Sequence, residues 1–176
     1  ERQYSDFKAA TPLYQKMVDV SEETGSTLKG SAHNVLAHNY LFSGDAEMAR
    51  EHYDKAIALA KSPIAIVNLT FYKLFSYYFQ SDYAGALRIA QNLDNNLNAL
   101  GFTEASLNQQ KARVEFSRFL SYAHSQQKED AYSALNARKS YAAAAMALME
   151  VDEVTQRDFD LLNARNEAWY HILFGE

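Results

Sequence analysis

Apolar positions recur every three or four residues along most of the chain, a spacing typical of amphipathic α-helices. The clearest run consists of two such segments separated by Ser43-Gly44-Asp45. Asp is a preferred N-cap residue, so a new helix is expected to begin directly after Asp45. Because so short a turn leaves two helices antiparallel, this stretch predicts a helical hairpin. Its apolar stripes are Leu36, Ala37, Tyr40 and Leu41 before the turn, and Ala46, Ala49, Tyr53, Ala56, Ile57 and Ala60 after it.

The same pattern continues on both sides of the hairpin and predicts about eight helices with no convincing strand. Ser62 is expected to cap a helix whose first residue is Pro63, and Gly101 to end another in a left-handed conformation. Pro12 is expected either to kink the first helix or to mark its late start. The fold class is therefore all-α, with the other helices expected at about 6–24, 63–80, 83–100, 103–125, 129–150 and 155–174.

A small residue followed one turn later by an aromatic recurs about every 40 residues, as in Ala10/Tyr14 and Ala49/Tyr53. The chain resembles the tetratricopeptide repeat family, whose helix–turn–helix unit has about 34 residues. The residues that carry the resemblance are Leu36, Ala37, Tyr40, Gly44, Ala49, Tyr53 and Ala56, with Pro63 close to the closing proline of the family.

The resemblance implies antiparallel helix pairs stacked as a right-handed superhelix in a single domain, 1–176. The best repeat is expected at 31–63, a second at 64–101, a degenerate one at 103–150 and a capping helix at 155–174. The first helix matches the second helix of a repeat and has no partner before it. We therefore expect a fragment of a longer array. A non-repeat helical bundle is the alternative.

The amino-acid composition argues against several classes of function. Net charge is −5, with 17 basic and 22 acidic residues, which argues against nucleic-acid binding. The absence of Cys excludes disulfides and thiolate catalysis. Polar residues interrupt the longest apolar stretch, 64–79, so we expect no membrane insertion. The lack of Cys and of a signal peptide leaves the compartment open between the cytoplasm, which is slightly favoured, and the periplasm.

No catalytic or cofactor motif occurs, so no enzyme, cofactor or metal site is expected. There is no Gly-rich phosphate loop, no His-Glu-x-x-His and no Gly-x-Ser-x-Gly sequence. His33 and His38 lie about 140° apart around a helix and do not share a face. The remaining histidines, His52, His124 and His171, are isolated in the sequence.

The resemblance implies a concave groove lined by the first helix of each pair, where such arrays hold peptides. The candidate partner-binding residues are Asn34, His38, Phe42, Phe71, Phe75 and Tyr78. The aromatic side chains of helix 63–80 have a second interpretation as core, because a helix that is apolar nearly all round is usually buried. Lys and Arg are absent from the groove positions, so capture of a chaperone tail by a carboxylate clamp is not expected.

Three functions follow from this reading. The first is a non-catalytic interaction module that binds a protein or peptide. The second is a regulatory or sensor segment of a larger bacterial signalling protein, such as a transcription regulator, kinase or diguanylate cyclase. The third is a small-molecule binder with a site inside the bundle. Near the C-terminus, Trp169 and Ile172-Leu173-Phe174 are candidates for a cap of the array or a homodimer interface.

Overall fold

The structure is a computed structural model, and it describes residues 2–149 and 151–175, with only the backbone for residues 2–5. These ranges contain helices and no strand, which confirms the all-α prediction. A single 3₁₀ turn, Asn98–Leu100, follows the fifth helix. The α-helices are α1 Arg2–Glu23, α2 Lys29–Phe42, α3 Ala46–Leu59, α4 Pro63–Phe79, α5 Tyr83–Leu97, α6 Glu104–His124, α7 Lys128–Ala147 and α8 Glu153–Phe174.

The chain forms two compact units, Glu1–Asp82 and Tyr83–Glu176. In the first unit α1 packs on α2, α2 on α3 and α3 on α4; in the second, α5 packs on α6, α6 on α7 and α7 on α8. Of the predicted second repeat, 64–101, the first helix belongs to the first unit and the second helix to the second. The superhelix and the repeat boundaries stay predictions.

Short-range signals set the helix ends as expected. The Asp45 carboxylate accepts a hydrogen bond from the backbone N–H of Met48 at 3.1 Å, and the Ser62 hydroxyl accepts one from Ala65 at 3.3 Å. Both satisfy an N–H group that the first turn of a helix leaves without an intrahelical partner. Gly101 adopts a left-handed φ of 76°, which costs glycine no steric penalty.

The core of the first unit lies between its consecutive helices. Ala37 and Ala49 are fully buried, and these small side chains let α2 and α3 approach around the buried ring of Tyr53. Val18 brings α1 onto Leu36 of α2. Each such large apolar side chain contributes roughly 1.5–3 kcal/mol when it leaves water. Packing of sequence neighbours thus places α2 in the middle of the unit.

Pro12 lies inside α1, so the predicted late start of this helix is wrong. A proline has no N–H for the carbonyl four residues earlier, which weakens a helix at that turn. Here a side-chain bridge supports the same turn. The Thr11 hydroxyl donates to the Phe7 carbonyl oxygen at 3.2 Å and accepts from the Asn39 amide of α2 at 2.7 Å.

The second unit is built around the α6–α7 pair. Phe119 and Ala123 of α6 pack against Ala131 and Leu135 of α7, and Tyr170 of α8 joins the same cluster. Thr103 and Asp152 cap α6 and α8 by accepting from the N–H groups of Ser106 and Thr155. Among the residues described, none of the helices combines the length and the apolar character that a membrane crossing requires.

Candidate functional site

The first unit presents one continuous side-chain surface on α2 and α4, which we call the α2–α4 face. Residues three, four or seven apart share one side of a helix, so each helix contributes a single row. The rows meet where His38 packs edge-on to Tyr72, with ring centroids 4.6 Å apart, and where Phe42 meets Phe79 at 6.3 Å. The face comprises Ser31, Asn34, His38 and Phe42 of α2, and Asn68, Tyr72, Phe75 and Phe79 of α4.

One end of this face is a cleft of about 650 Å³ whose lining includes two lysines and two asparagines. The loop residues 25–27, the end of α3 and the first turns of α2 and α4 form its walls. Asn34, Asn68 and Tyr72 line it, together with Lys29 and Lys61, and none of the described residues that line it is acidic. The start of α2 adds the positive end of a helix dipole. In a chain of net charge −5, the lining of this cleft therefore carries basic side chains and no acidic one among the described residues.

The other end of the face is aromatic and open to solvent. Phe42, Phe75 and Phe79 keep 41%, 44% and 61% of their surface exposed. Phe7 of α1 stacks on Phe42 with centroids 5.3 Å apart, which extends the aromatic surface onto a third helix. Neighbouring exposed rings of this kind are more typical of an interaction surface than scattered apolar residues are.

His38 lies between the two ends in a defined tautomer. Its Nδ1–H donates to the Asn34 carbonyl oxygen at 2.8 Å, which leaves Nε2 of the neutral ring as a hydrogen-bond acceptor. Tyr53 packs edge-on against His38 and stacks on Tyr72, at 5.5 and 6.2 Å. Burial raises the pKa of Tyr53, so this phenol stays neutral beneath the face.

The structure brings most of the sequence-derived site residues together, with one correction. Asn34, His38, Phe42 and Phe75 belong to the α2–α4 face. Phe71, in contrast, is only 4% exposed and belongs to the core, because α4 turns Val67, Phe71 and Leu74 inwards. The expectation that Phe71 lines a groove therefore does not hold.

Tyr78 and Tyr72 lie beside these positions on α4, and each contributes to the α2–α4 face or to its border. Tyr78 is half-buried at the border of the face, with its ring 6.1 Å from Phe75. Tyr72, one residue after Phe71 and so about 100° further round the helix, takes the central position of the α4 row. The side-chain oxygen of Asn34 is enclosed and unpaired within the described residues.

Sequence reasoning missed a buried histidine pair beside the face. His33 of α2 and His52 of α3 are 2% and 4% exposed, and their Nδ1 atoms lie 2.9 Å apart. His33 Nε2 lies 3.2 Å from a carboxylate oxygen of Glu22 on α1. One signal could have found this pair. In an antiparallel hairpin around the 43–45 turn, the two residues fall within about one helical turn of each other.

Trp169 and Ile172, the candidates for a cap or a homodimer interface, are exposed on α8. Leu173 and Phe174 pack partly against the core of the second unit instead. No group of three or more His, Asp or Glu side chains that could hold a metal ion occurs in the part of the chain that the structure describes. Comparison with protein-family models, with curated proteins and with solved structures found no significant match.

Proposed function

We propose that this protein is a non-catalytic interaction module of the tetratricopeptide type, which binds a peptide segment of a partner protein on the α2–α4 face. The observation that carries the proposal is the joining of a basic cleft to exposed aromatic rings on one surface. An extended or helical segment placed along both helices would meet both parts. The face belongs entirely to the first unit, so the proposal needs no contribution from the second.

The chemistry of the face indicates what the segment carries. Exposed rings at Phe42, Phe75 and Phe79 favour apolar or aromatic anchors, because burying such area drives association. Lys29, Lys61 and the start of α2 favour acidic side chains at the other end. We therefore expect a partner segment in which one or two acidic residues lie near an apolar pair. His38 Nε2 can accept a hydrogen bond from a backbone N–H of this partner segment.

Selection from a random peptide library tests this function. We expect the wild-type protein to enrich sequences that combine acidic and apolar residues. The variant Phe75→Ser/Phe79→Ser should lose at least tenfold in affinity for them, because each deleted ring contact is worth about 1 kcal/mol or more. The matched control is Leu161→Ser/Ile172→Ser, which removes two exposed apolar side chains from α8 of the second unit. No enrichment, or equal loss in both variants, would contradict the proposal.

Charge reversal provides a second test of the same face. Lys29→Glu/Lys61→Glu should weaken binding of acidic peptides and abolish its dependence on salt, whereas Lys8→Glu/Lys16→Glu on α1 should not. Salt sensitivity that persists in the cleft variant would mean that charges elsewhere attract the peptide. Surface plasmon resonance at two salt concentrations separates the two variants.

A small-molecule binder is the second candidate, because the cleft volume lies within the roughly 300–1,000 Å³ of small-ligand sites. The Phe75→Ser/Phe79→Ser variant distinguishes the two functions, since it leaves the cleft lining intact. A metabolite that raises the melting temperature of the wild type and of this variant equally would favour the small ligand over the peptide. The regulatory segment of a larger signalling protein stays a prediction.

A further inference from the structure

A chain of three hydrogen-bonding side chains links three consecutive helices of the first unit. His33 on α2 contacts both of the other side chains: Glu22 on α1 through Nε2 and His52 on α3 through Nδ1. Both imidazoles are almost completely buried, whereas the Glu22 carboxylate is half exposed. The peptide-binding face described above uses none of these three groups. The distances between them limit how many protons the two imidazoles can carry.

The short Nδ1–Nδ1 distance requires one nitrogen to donate and the other to accept. With both rings neutral, His33 Nε2–H donates to Glu22 and its Nδ1 accepts from His52 Nδ1–H. One added proton is also accommodated, since a His33 imidazolium can donate to Glu22 and to a His52 that has moved its proton to Nε2. A second added proton would direct two N–H groups at each other across 2.9 Å and break the bond.

The surroundings of His52 oppose that second proton. Tyr40 of α2 stacks on the ring at 5.5 Å, which excludes water from one side. The pKa of His52 is lowered to about 4 by burial, by the charge of Lys55 on α3 and by His33, while Glu22 acts in the opposite direction. The titratable groups that act on His52 thus come from all three helices. An unfolded chain lacks these effects, and its histidines take up protons near pH 6.5.

We propose that the Glu22–His33–His52 chain is a pH-sensitive lock that holds α1, α2 and α3 together at neutral pH and is weakened in mild acid, where protons bind to the opened form in preference to the closed one. In the closed state it provides a polar link that spans all three helices. In the opened form each imidazole carries its own proton and is hydrated, so α1 and α3 separate from α2 at this point. The lock is independent of the peptide-binding proposal, because it needs no partner.

A histidine NMR titration of the intact protein tests the lock directly. We expect the ring signals of His52 to stay those of a neutral imidazole down to about pH 5, well below the pH near 6.5 at which a histidine of an unfolded chain takes up its proton. The readout follows the wild-type protein and so does not depend on whether a variant folds. A His52 signal that titrates near pH 6.5 would overturn the proposal.

Thermal unfolding between about pH 7.5 and pH 5 provides the second test. The wild-type melting temperature should fall by about 5 °C over this range. His52→Asn should lose at least half of this dependence, because Asn offers a donor and an acceptor near the Nδ1 position without a titratable proton. His124→Asn, the matched control on an exposed histidine, should retain all of it. Equal pH dependence in the wild type and in His52→Asn would contradict the lock.

Discussion

The two units of this protein bury polar side chains between helices in two different ways. In the first unit the α2–α3 seam contains the His33–His52 pair, whose proton count can change in mild acid. In the second, the α5–α6 seam contains Arg118, which donates to Glu115 on its own helix and to Asp94 on α5 at 2.8 Å. An arginine keeps its charge at every physiological pH.

The directions of the pKa shifts show the same contrast. Burial opposes the charge of Arg118, yet its pKa is raised, because Glu115 and Asp94 outweigh the burial. For His52, burial dominates and the charge of Glu22 offsets it only in part, so the neutral form is favoured. Buried polar groups can therefore be of two kinds: those whose charge is permanent, as in Arg118, and those whose protonation is conditional on pH, as in His52. The conditional kind lies in the unit that carries the α2–α4 face.

The largest effect is expected from removal of the permanent charge of Arg118. Arg118→Met should destabilise the second unit by about 3 kcal/mol, because it leaves the buried Glu115 carboxylate without its cation. Burial already raises the pKa of Glu115, so the loss should shrink as the pH falls and this carboxyl gains a proton. Urea unfolding at neutral and at acid pH measures this. The double variant Arg118→Met/Glu115→Met should recover most of the stability, and a single-variant cost below 1 kcal/mol would contradict the comparison.

Acid should have the next largest effect, and it should act on the first unit. The folded-state pKa of His52 is about 4, below the unfolded value of 6.5, so the unfolded chain binds more protons between these limits. The free energy of unfolding is therefore full above about pH 7 and decreases towards pH 4. By pH 5 the loss should be about 2 kcal/mol. Urea unfolding over a pH series measures it, and a flat profile above pH 5 would exclude a buried neutral His52.

An intermediate effect on stability is expected at the helix caps. Each unit has an N-cap of similar geometry, so the two can be compared. Asp45→Ala in the first unit and Thr103→Ala in the second should each cost about 1 kcal/mol, since each leaves a first-turn N–H without its side-chain acceptor. Circular dichroism melts measure the cost. Asp45→Asn is the control, because it keeps an acceptor oxygen, and an equal loss in Asp45→Asn and Asp45→Ala would show that the cap bond is not the cause.

The smallest expected effect concerns the exposed end of the lock. Glu22→Gln should change stability by only about 0.5 kcal/mol, because the carboxylate is half exposed and water screens its charge. The pKa of His52 should nevertheless fall further, since the charge of Glu22 acts to raise it. An NMR titration of the variant measures this shift. Glu23→Gln on the same turn is the control, and a His52 pKa that rises in Glu22→Gln would contradict the assigned role.

Local signals explain how much of this structure the sequence alone could predict. The caps at Asp45 and Ser62 and the left-handed Gly101 depend on neighbours within a few residues, so their chemistry is readable from the chain. Helix type follows from apolar spacing for the same reason. The bounds predicted for α1, about 6–24, lie close to the observed ones. The Thr11–Asn39 bridge beside Pro12 could not be predicted, because that contact is not local.

The site was harder to predict because it depends on which side of a helix faces the core. Phe71 and Tyr72 are both aromatic, and only the packing of α4 decides that Phe71 is buried while Tyr72 is part of the face. Apolar spacing alone could not separate them on a helix that is apolar nearly all round. The His33–His52 pair joins two helices, so a search along a single helix could not find it.

Hydrogen exchange followed by mass spectrometry tests the central claim most directly, because it reports on both units of the intact protein in one experiment. Protection would be compared at about pH 7.5 and pH 5, with correction for the intrinsic exchange rate. We predict that peptides from α1, α2 and α3 lose protection at the lower pH, while those from α6 and α7 keep it. Equal loss in both units, or loss confined to α6 and α7, would contradict the account.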